Sequence, residues 1–304
     1  MKRTLKAYMD LTRAHFSFVW PLLFCSGLLL SFQRYGGFSW SLTVRVALIG
    51  LFGFEAGLVL NDYVDRELDQ KDVEFDKLTS YWRPFKKRPL VSGLISSNNA
   101  LTLFLILVVL TSALIASLPY PNNLYVFGIM SYSYFVEYFY QMRKRSQRFP
   151  LAQLLGRTDL SLFPVAGYLC YGYPDLKALS YFLFFYPFAM AHLGLNDLID
   201  IRNDEARGMK TITVLYGASG TSKWILSFTL LHFGVAPLFL ADVKPVALVG
   251  FLIAFVLLSI ANIAIMNKKD SETGLKVLPM FHMAMLTYAL SIILDYAVQN
   301  AAPR

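Results

Sequence analysis

LNDYVDRELD, residues 60–69, is followed later in the chain by a second version, LNDLIDIRND, residues 195–204, and each closes a long apolar segment. In both versions an asparagine and two aspartates recur at every fourth position. On a helix, side chains at this spacing form one stripe of oxygen atoms. A further aspartate lies beside each stripe, and the complete set is Asn61, Asp62, Asp65 and Asp69, then Asn196, Asp197, Asp200 and Asp204.

Two carboxylate stripes in an apolar chain would repel each other unless they hold cations. Mg²⁺ suits such ligands, because it takes a few carboxylates, keeps several waters and completes its octahedron with phosphate oxygens. Basic residues accompany the acidic ones, namely Arg83, Lys86, Lys87, Arg88, Arg143, Lys144, Arg207 and Lys210. Together these groups predict a site for a divalent metal and a phosphate ester.

The composition is that of an integral membrane protein. Of the 304 residues 56% are hydrophobic and 16% charged, and the mean hydropathy is +0.48. We therefore predict an all-α, polytopic fold with nine transmembrane helices in a single bundle, taking ~20 apolar residues for each crossing. The nine stretches cover about residues 15–33, 44–61, 98–118, 122–141, 158–173, 178–196, 223–241, 245–266 and 277–297.

The fifth stretch is the weakest, because it is short and contains Pro164 and Gly167, so we expect a tilted or broken helix there. The first stretch lacks a small-residue cleavage site, and we expect it to remain as an anchor. Cys25 and Cys170 both lie in apolar runs, which predicts buried free thiols rather than a disulfide.

The basic residues predict the orientation in the cell membrane. With a cytoplasmic N-terminus and nine crossings, the outer segments hold only five of the 28 Lys and Arg residues, Arg34, Arg45, Lys177, Lys244 and Arg304. This distribution follows the positive-inside rule and places the C-terminus outside. Both acidic motifs then face the cytoplasm. The net charge of +8 is explained by topology, and nucleic-acid binding need not be invoked.

The chain is expected to form one membrane-embedded domain. The acidic motifs lie four crossings apart, which indicates a duplicated four-helix unit, with halves at about residues 1–141 and 142–270 and an extra helix at 277–297. The inner segments 62–97 and 197–222 directly follow the motifs. We expect these two segments to form a cap over the site.

Five signals, in this order, resemble the UbiA superfamily of intramembrane prenyltransferases. The first is the acidic motif NDxxDxxxD, and the last is the second acidic motif with the residues that follow it. Between them lie motifs close to RPLxSG, YxxxK and PQxxLG. The residues that carry the resemblance after the first motif are Arg88, Pro89, Leu90, Ser92, Gly93, Tyr140, Lys144, Pro150, Gln153, Gly156, Asp197, Asp200, Asp204, Gly208, Lys210 and Thr211.

One segment departs from the resemblance. Asp69 and Arg88 are separated by 18 residues, a longer spacing than we expect in many relatives. The inserted stretch VEFDKLTSYWRPFK, residues 73–86, brings the acidic Glu74 and Asp76 close to Asp72.

The resemblance implies Mg²⁺-dependent transfer of a prenyl group from an allylic isoprenyl diphosphate, such as geranyl or geranylgeranyl diphosphate, with release of diphosphate. The acceptor would be an aromatic quinone precursor or a prenylglyceryl phosphate. Two Mg²⁺ ions would bridge the acidic motifs and the diphosphate, facing the cytoplasm. Besides substrates, we expect contact with membrane lipid, no nucleic acid and no obligate protein partner.

The same resemblance assigns roles to residues. Catalysis is assigned to Asp65, Asp200, Lys144 and Tyr140. Substrate binding is assigned to Arg88, Arg143, Lys144, Lys210, Asn61 and Asn196. The Mg²⁺ ligands, or groups hydrogen-bonded to them, are Asn61, Asp62, Asp65, Asp69, Asp197, Asp200 and Asp204.

An ion-coupled secondary transporter is the alternative, with the acidic helices forming a cation site. Transporters of that kind have inverted repeats and charges near the membrane midplane. Here the repeat spans an even number of crossings, so its copies run parallel, and the acids lie at helix ends. The acceptor, the donor length, the oligomeric state, the number of metal ions and the participation of Glu55, Glu137 and His192 stay open.

Overall fold

A computed structural model describes residues 2–74, 77–241, 243 and 245–301 of the chain. These residues form thirteen α-helices and one short 3₁₀ helix, and they contain no strand, which confirms the all-α fold class. Asp76 and part of the predicted cap segment 62–97 lie outside the described residues.

The helices follow in chain order. They are α1 (Lys2–Leu11), α2 (Val19–Tyr35), α3 (Trp40–Asp65), α4 (Lys77–Trp82), α5 (Ser97–Ala116), α6 (Asn122–Arg143), α7 (Leu151–Gly156), α8 (Thr158–Leu169), α9 (Leu176–Ile199), α10 (Ile201–Arg207), α11 (Ile212–Leu240), α12 (Pro245–Lys268) and α13 (Ser271–Ala301). The 3₁₀ helix covers Asp69–Lys71.

Six helices in the described part of the chain are long and apolar enough to cross a membrane, namely α3, α5, α9, α11, α12 and α13. Many of their exposed side chains are apolar, such as Val109 on α5 and Ile263 on α12, exposed by 66% and 63%. So many exposed apolar side chains on long apolar helices fit a lipid environment. The chain is therefore a multi-pass membrane protein. Helices α2, α6 and α8 coincide with the other predicted stretches, and α2 and α8 have only 17 and 12 residues.

The fifth predicted stretch corresponds to the short helix α8, which ends at Leu169. Helix α7 precedes α8, and Arg157 lies between the two helices. Helix α8 packs closely against α2. A Cβ atom added to Gly27 would lie 1.9 Å from the Pro164 carbonyl oxygen, and one on Gly167 would lie 1.8 Å from that of Phe24. Small residues permit this close approach of two helices in a membrane.

The two helices that carry the acidic motifs, α3 and α9, each begin with a side-chain cap. The Ser39 side chain accepts the Leu42 N–H at the start of α3, and the Asp175 side chain accepts the Ala178 N–H at the start of α9. The helices that carry the acidic motifs thus begin at fixed residues. Cys25 and Cys170 are buried free thiols, as predicted.

The acidic motifs do not lie on continuous helices, so the prediction of one unbroken helical stripe is wrong. Helix α3 ends at Asp65, and Asp69 opens the 3₁₀ helix. Helix α9 ends at Ile199, Asp200 lies at the junction, and Asp204 belongs to α10. The chain bends where each apolar run ends, and the bend keeps Asp69 and Asp204 buried instead of extending outward along the helix axis.

The segment after the first motif is held by α1. Both oxygens of Asp10 accept backbone N–H groups, from Phe85 at 2.7 Å and from Lys87 at 3.0 Å. Helix α1 itself packs Ala7 and Leu11 into a small apolar cluster with residues of α3 and α5. This fixes the position of Arg88 relative to the end of α3.

In the second predicted cap segment, 197–222, helix α11 begins early, at Ile212, with a non-helical residue at Gly217.

Candidate active site

A cavity of about 240 Å³ lies between the ends of α3, α6 and α9 and the segment that follows the first motif. The structure brings both acidic motifs to its wall, together with three of the predicted catalytic and binding side chains. The residues of the predicted set that line it are Asn61, Asp62, Asp65, Asp69, Arg88, Tyr140, Lys144, Asn196, Asp197, Asp200 and Asp204.

Two predicted diphosphate-binding residues are not brought to this cavity. The side chains of Arg143 and Lys210 are exposed and do not line it. Arg143 is the last residue of α6 and Lys144 caps that helix, and neighbouring residues at a helix end point in different directions. Lys210 contributes its backbone instead, because its N–H donates to the Lys144 carbonyl at 2.7 Å.

The carboxylates of the first motif are paired with basic side chains. Asp62 accepts from Arg83 at 2.6 Å and from Arg13 at 3.1 Å. Asp65 lies 2.8 Å from Lys144 Nζ and 3.3 Å from Arg145. These side chains of Asp62 and Asp65 are each only 6% exposed.

Asp69 connects the first motif to the second. Its Oδ1 atom lies 2.8 Å from Arg88 and 3.2 Å from Arg207. Arg207, the last residue of α10, also lies 3.7 Å from Asp200 and 4.0 Å from Asp204. Burial raises the pKa of Asp69, although Arg88 and Arg207 oppose that effect. One guanidinium therefore lies among carboxylates of both motifs.

The second motif has fewer cationic partners. Asp197 accepts the Ile212 backbone N–H at 2.9 Å, and Asp200 accepts from Asn203 at 2.7 Å. Burial raises the pKa of Asp204 well above its ordinary value, and the carboxylates of Asp200 and Asp197 add to the shift. Negative charge is thus less compensated on this side of the cavity.

The residues fit a divalent cation by their chemistry. Five buried aspartates and the partly buried Asp200 line one cavity, and the buried Oδ1 atom of Asn196 has no hydrogen-bond partner among the described residues. Hard oxygen ligands of this kind suit Mg²⁺. Within the described part of the chain, no three Asp, Glu, His or Cys side chains are arranged so that they could bind one metal ion together. Most of the carboxylates instead face basic groups.

Tyr140 on α6 and Lys144, which directly follows that helix, lie next to each other, as the YxxxK spacing predicts. Lys144 Nζ lies 4.8 Å from the centre of the Tyr140 ring, and the Arg157 guanidinium lies 5.6 Å from it. Cations over a tyrosine face are stabilised by the ring. Glu137, one turn earlier, accepts from Asn61 at 2.8 Å and from Gln141 at 2.5 Å, so it orients the first residue of the acidic motif.

Sequence reasoning missed several residues of the cavity wall. Arg13 and Arg157 belong to no motif, and Arg13 meets Asp62 across 49 residues of sequence. His192, left open above, lines the cavity and shares a hydrogen bond of 2.9 Å with His282, which also contacts the Tyr81 hydroxyl at 2.5 Å. No sequence spacing reveals this pairing. Glu55 is buried and does not line the cavity.

A second, smaller cavity of about 130 Å³ adjoins the first, and both are lined by Phe54, Leu58 and Asn61. It lies between α3, α6 and α8. Its wall includes the small or apolar residues Gly53, Gly57, Ile129, Met130, Phe163 and Ala166, along with Glu137, Arg157 and Asp159. The polar groups lie toward the shared wall with the first cavity, where Asn61 meets Glu137.

Comparison with known proteins places this arrangement among relatives. The protein-family model described as the UbiA prenyltransferase family matches residues 18–286. The 4-hydroxybenzoate octaprenyltransferase of Shewanella denitrificans is 31% identical over 196 residues, which cover 63% of this chain and 61% of that relative's length. The digeranylgeranylglyceryl phosphate synthase of Methanobrevibacter smithii is 26% identical over 255 residues, covering 80% of this chain and 83% of the relative.

Solved structures share the fold. A UbiA homolog from Aeropyrum pernix K1 superposes with a TM-score of 0.72 at 18% identity, over 94% of this chain and 98% of that one. A UbiA homolog from Archaeoglobus fulgidus, bound to GPP and Mg²⁺, superposes with a TM-score of 0.64 at 15% identity, over 96% and 99%.

Proposed function

Because the chain belongs to the UbiA prenyltransferase family, we propose that it transfers a prenyl group from an allylic isoprenyl diphosphate to an acceptor bound in the same cavity. Family membership supports prenyl transfer and not the ion-coupled transport considered from the sequence. The relatives act, by their names, on 4-hydroxybenzoate or on a glyceryl phosphate, so the acceptor is an aromatic quinone precursor or a prenylglyceryl phosphate.

One observation carries the proposal. Two acidic motifs from distant parts of the chain and the basic groups Arg88, Lys144 and Arg207 line a single cavity. Alternating acids and bases around a cavity of this kind suit a diphosphate with its metal ions. A structure of a family member holds GPP and Mg²⁺, which supports the same pairing here.

The acidic motifs would hold Mg²⁺, and we propose two ions. The proposed ligands are carboxylate oxygens and two side-chain amide oxygens. The carboxylates are those of Asp62, Asp65, Asp69, Asp197, Asp200 and Asp204, and the amides are those of Asn61 and Asn196. Bound Mg²⁺ would neutralise charge on the departing diphosphate.

The chain's own side chains perform the remaining work. Arg88, Lys144 and Arg207 bind diphosphate oxygens and stabilise the negative charge that grows as the bond from the prenyl C1 to oxygen breaks. The bonding electron pair leaves with the diphosphate. The acceptor's nucleophilic carbon or oxygen forms the new bond to C1 and loses a proton. The buried cavity excludes water, which would otherwise capture the allylic cation.

The adjoining cavity receives the beginning of the prenyl chain in this proposal. Gly57 leaves space on the α3 side, since a Cβ atom there would meet nothing within 4 Å, and Met130 and Phe163 provide an apolar wall. The shared wall at Phe54 and Leu58 would let a chain pass from one cavity to the other. Geranyl and geranylgeranyl diphosphate are the donors we propose.

The membrane arrangement is part of the proposal. We infer nine crossings, with the shorter helices α2 and α8 and the polar α6 added to the six long apolar ones. The excess of Lys and Arg on one side then puts the N-terminus and the active site at the cytoplasmic face and the C-terminus outside. In this arrangement the halves 1–141 and 142–270 each contribute one acidic motif.

Turnover by the purified protein tests the function. The protein is incubated with labelled geranylgeranyl diphosphate, Mg²⁺ and either 4-hydroxybenzoate or a geranylgeranylglyceryl phosphate, and products are identified by mass. We expect a prenylated product and diphosphate release, both abolished by EDTA and by Asp65→Ala or Asp200→Ala. A donor that stays intact with both acceptors in the presence of Mg²⁺ would contradict the proposal.

A further inference from the structure

The segment inserted after the first acidic motif places one aspartate against two arginines of the site. Asp72 directly follows the 3₁₀ helix, and its side chain is 0% exposed. Its Oδ2 atom lies 2.9 Å from Arg88, and its Oδ1 atom accepts a hydrogen bond from Arg207. Both arginines line the cavity, and Asp72 does not. The carboxylate therefore lies behind the guanidinium groups.

Asn203 fixes the backbone that follows Asp72. Its Oδ1 atom accepts the N–H groups of Val73 at 3.0 Å and Glu74 at 2.8 Å. Its Nδ2 atom donates to the Glu74 carbonyl at 3.0 Å and to Asp200 at 2.7 Å. With 1% exposure and every one of these bonds made, Asn203 ties the inserted segment to the second acidic motif.

Arg207 contacts carboxylates on two sides. On the side away from the cavity it donates to Asp72. On the cavity side, in front of it, lie Asp69 at 3.2 Å, Asp200 at 3.7 Å and Asp204 at 4.0 Å. The front contacts to Asp200 and Asp204 are longer than good charged hydrogen bonds, which have lengths of about 2.7–2.9 Å. A guanidinium released from Asp72 would close onto those front carboxylates. It would then compete with any cation for them.

We propose that Asp72 is a positioning residue that keeps Arg88 and Arg207 directed at the diphosphate and keeps Arg207 from closing onto Asp200 and Asp204, two of the proposed metal ligands. The inference rests on the proposed function, since it assigns Asp72 a part in binding the metal and the diphosphate. It acts through the two arginines and touches neither substrate nor metal.

The opposite role would be that of an internal competitor occupying the diphosphate position. The cavity wall contradicts that role, because Arg88 and Arg207 form it and the buried Asp72 side chain lies beyond them. The two roles also predict opposite results. Loss of a competitor would lower the KM for the donor, whereas loss of a positioning group raises it.

Asp72→Asn tests the inference, because it keeps the shape of the side chain and removes the charge. The matched control is Glu74→Gln, which removes a carboxylate two residues later, where its partners Lys77 and Arg202 lie outside the cavity. Two quantities are measured on purified protein in detergent. One is the Mg²⁺ concentration that gives half of the Mg²⁺-induced rise in melting temperature, and the other is the KM for geranylgeranyl diphosphate.

For Asp72→Asn we expect both quantities to rise roughly tenfold or more, the effect of leaving buried charged hydrogen bonds unmade. Asp72→Glu, which restores a carboxylate, should recover part of the loss, and Glu74→Gln should match the wild type. Values unchanged or lowered in Asp72→Asn would overturn the inference.

Asn203→Ala serves as a second variant if Asp72→Asn does not fold. It releases the backbone after Asp72, so we expect a smaller rise in the same Mg²⁺ concentration, and no rise would overturn the inference. A wild-type protein that leaves the donor intact would instead refute the proposed function, whereas an active wild type with an unaffected Asp72→Asn refutes only the role of Asp72.

Discussion

Arg207 and Asp69 join the two acidic motifs of the chain, with the guanidinium of the first 3.2 Å from the carboxylate of the second. Arg207 follows the second motif on α10, and Asp69 closes the first motif after α3. Their contact shows that the two motifs meet at one point, although 138 positions separate these residues, from 69 to 207. The basic side chain supplies positive charge that buried carboxylates require.

Mg²⁺ should therefore be able to replace Arg207 as the positive charge that stabilises these carboxylates. Arg207→Gln leaves Asp69 and Asp72 with Arg88 alone and Asp200 without its guanidinium contact, and breaking a buried charge pair costs about 3–5 kcal/mol. We expect a lower melting temperature than the wild type without Mg²⁺ and a smaller difference at saturating Mg²⁺. Thermal unfolding in detergent with and without Mg²⁺ measures both. A difference that Mg²⁺ does not reduce would contradict this prediction.

Lys144→Gln should strongly reduce prenyl transfer. The Lys144 ammonium lies in the cavity 2.8 Å from Asp65, and we expect it to bind the diphosphate during turnover. Removing one charged contact to the reacting group costs roughly 10²–10³ in kcat, by comparison with oxyanion-binding groups. Steady-state kinetics measure the loss. Arg148→Gln, an exposed basic residue four positions later, is the matched control, and equal activity of the two variants would count against the assignment.

Gly57 should control the length of donor that the site accepts. It lines the second cavity, and an added Cβ atom would meet nothing within 4 Å, so a larger side chain can extend into that cavity. Gly57→Leu should lower kcat/KM for geranylgeranyl diphosphate relative to geranyl diphosphate by about tenfold, the effect of apolar size in a fitted pocket. Competition between the two donors measures the ratio. An unchanged ratio would mean that the prenyl chain lies elsewhere.

Gly27→Ala should destabilise the bundle. Its Cβ atom would lie 1.9 Å from the Pro164 carbonyl oxygen, so α2 and α8 would have to separate. Overpacking of this kind costs about 1–3 kcal/mol or more. Gly128→Ala on α6 is the control, because its Cβ atom would have nothing within 4 Å. Melting temperatures in detergent should fall for the first variant and hold for the second, and similar values for both would contradict the close packing of α2 and α8.

The fold class and the helix positions could be predicted because apolar length is a local signal. All nine predicted stretches coincide with helices, and α11 differs mainly in beginning at Ile212 instead of about residue 223. The number of membrane crossings is harder to predict from the sequence, because α8 is short and α6 carries polar residues. Periodicity also failed to reveal the bend between Asp65 and Asp69, because the spacing of the aspartates continues through it.

The site was predictable where a motif repeats, as with Asp65 and Asp200, and where a short motif resembles one of the family, as with Lys144. It was not predictable where partners come from distant segments, as with Arg13 on Asp62 or His282 on His192. Arg143 was expected in the site because it neighbours Lys144, and one step along a helix turns a side chain away by more than a quarter turn. Such partners depend on how the helices pack, which no local pattern records.

Binding of Mn²⁺ as a spectroscopic substitute for Mg²⁺, followed by electron paramagnetic resonance with geranylgeranyl diphosphate present, shows whether both acidic motifs take part in holding the metal ions. We expect the wild type to bind Mn²⁺ and Asp65→Asn and Asp200→Asn each to weaken that binding strongly, because the two motifs share the metal ions and the diphosphate. Full Mn²⁺ binding in either variant would contradict it.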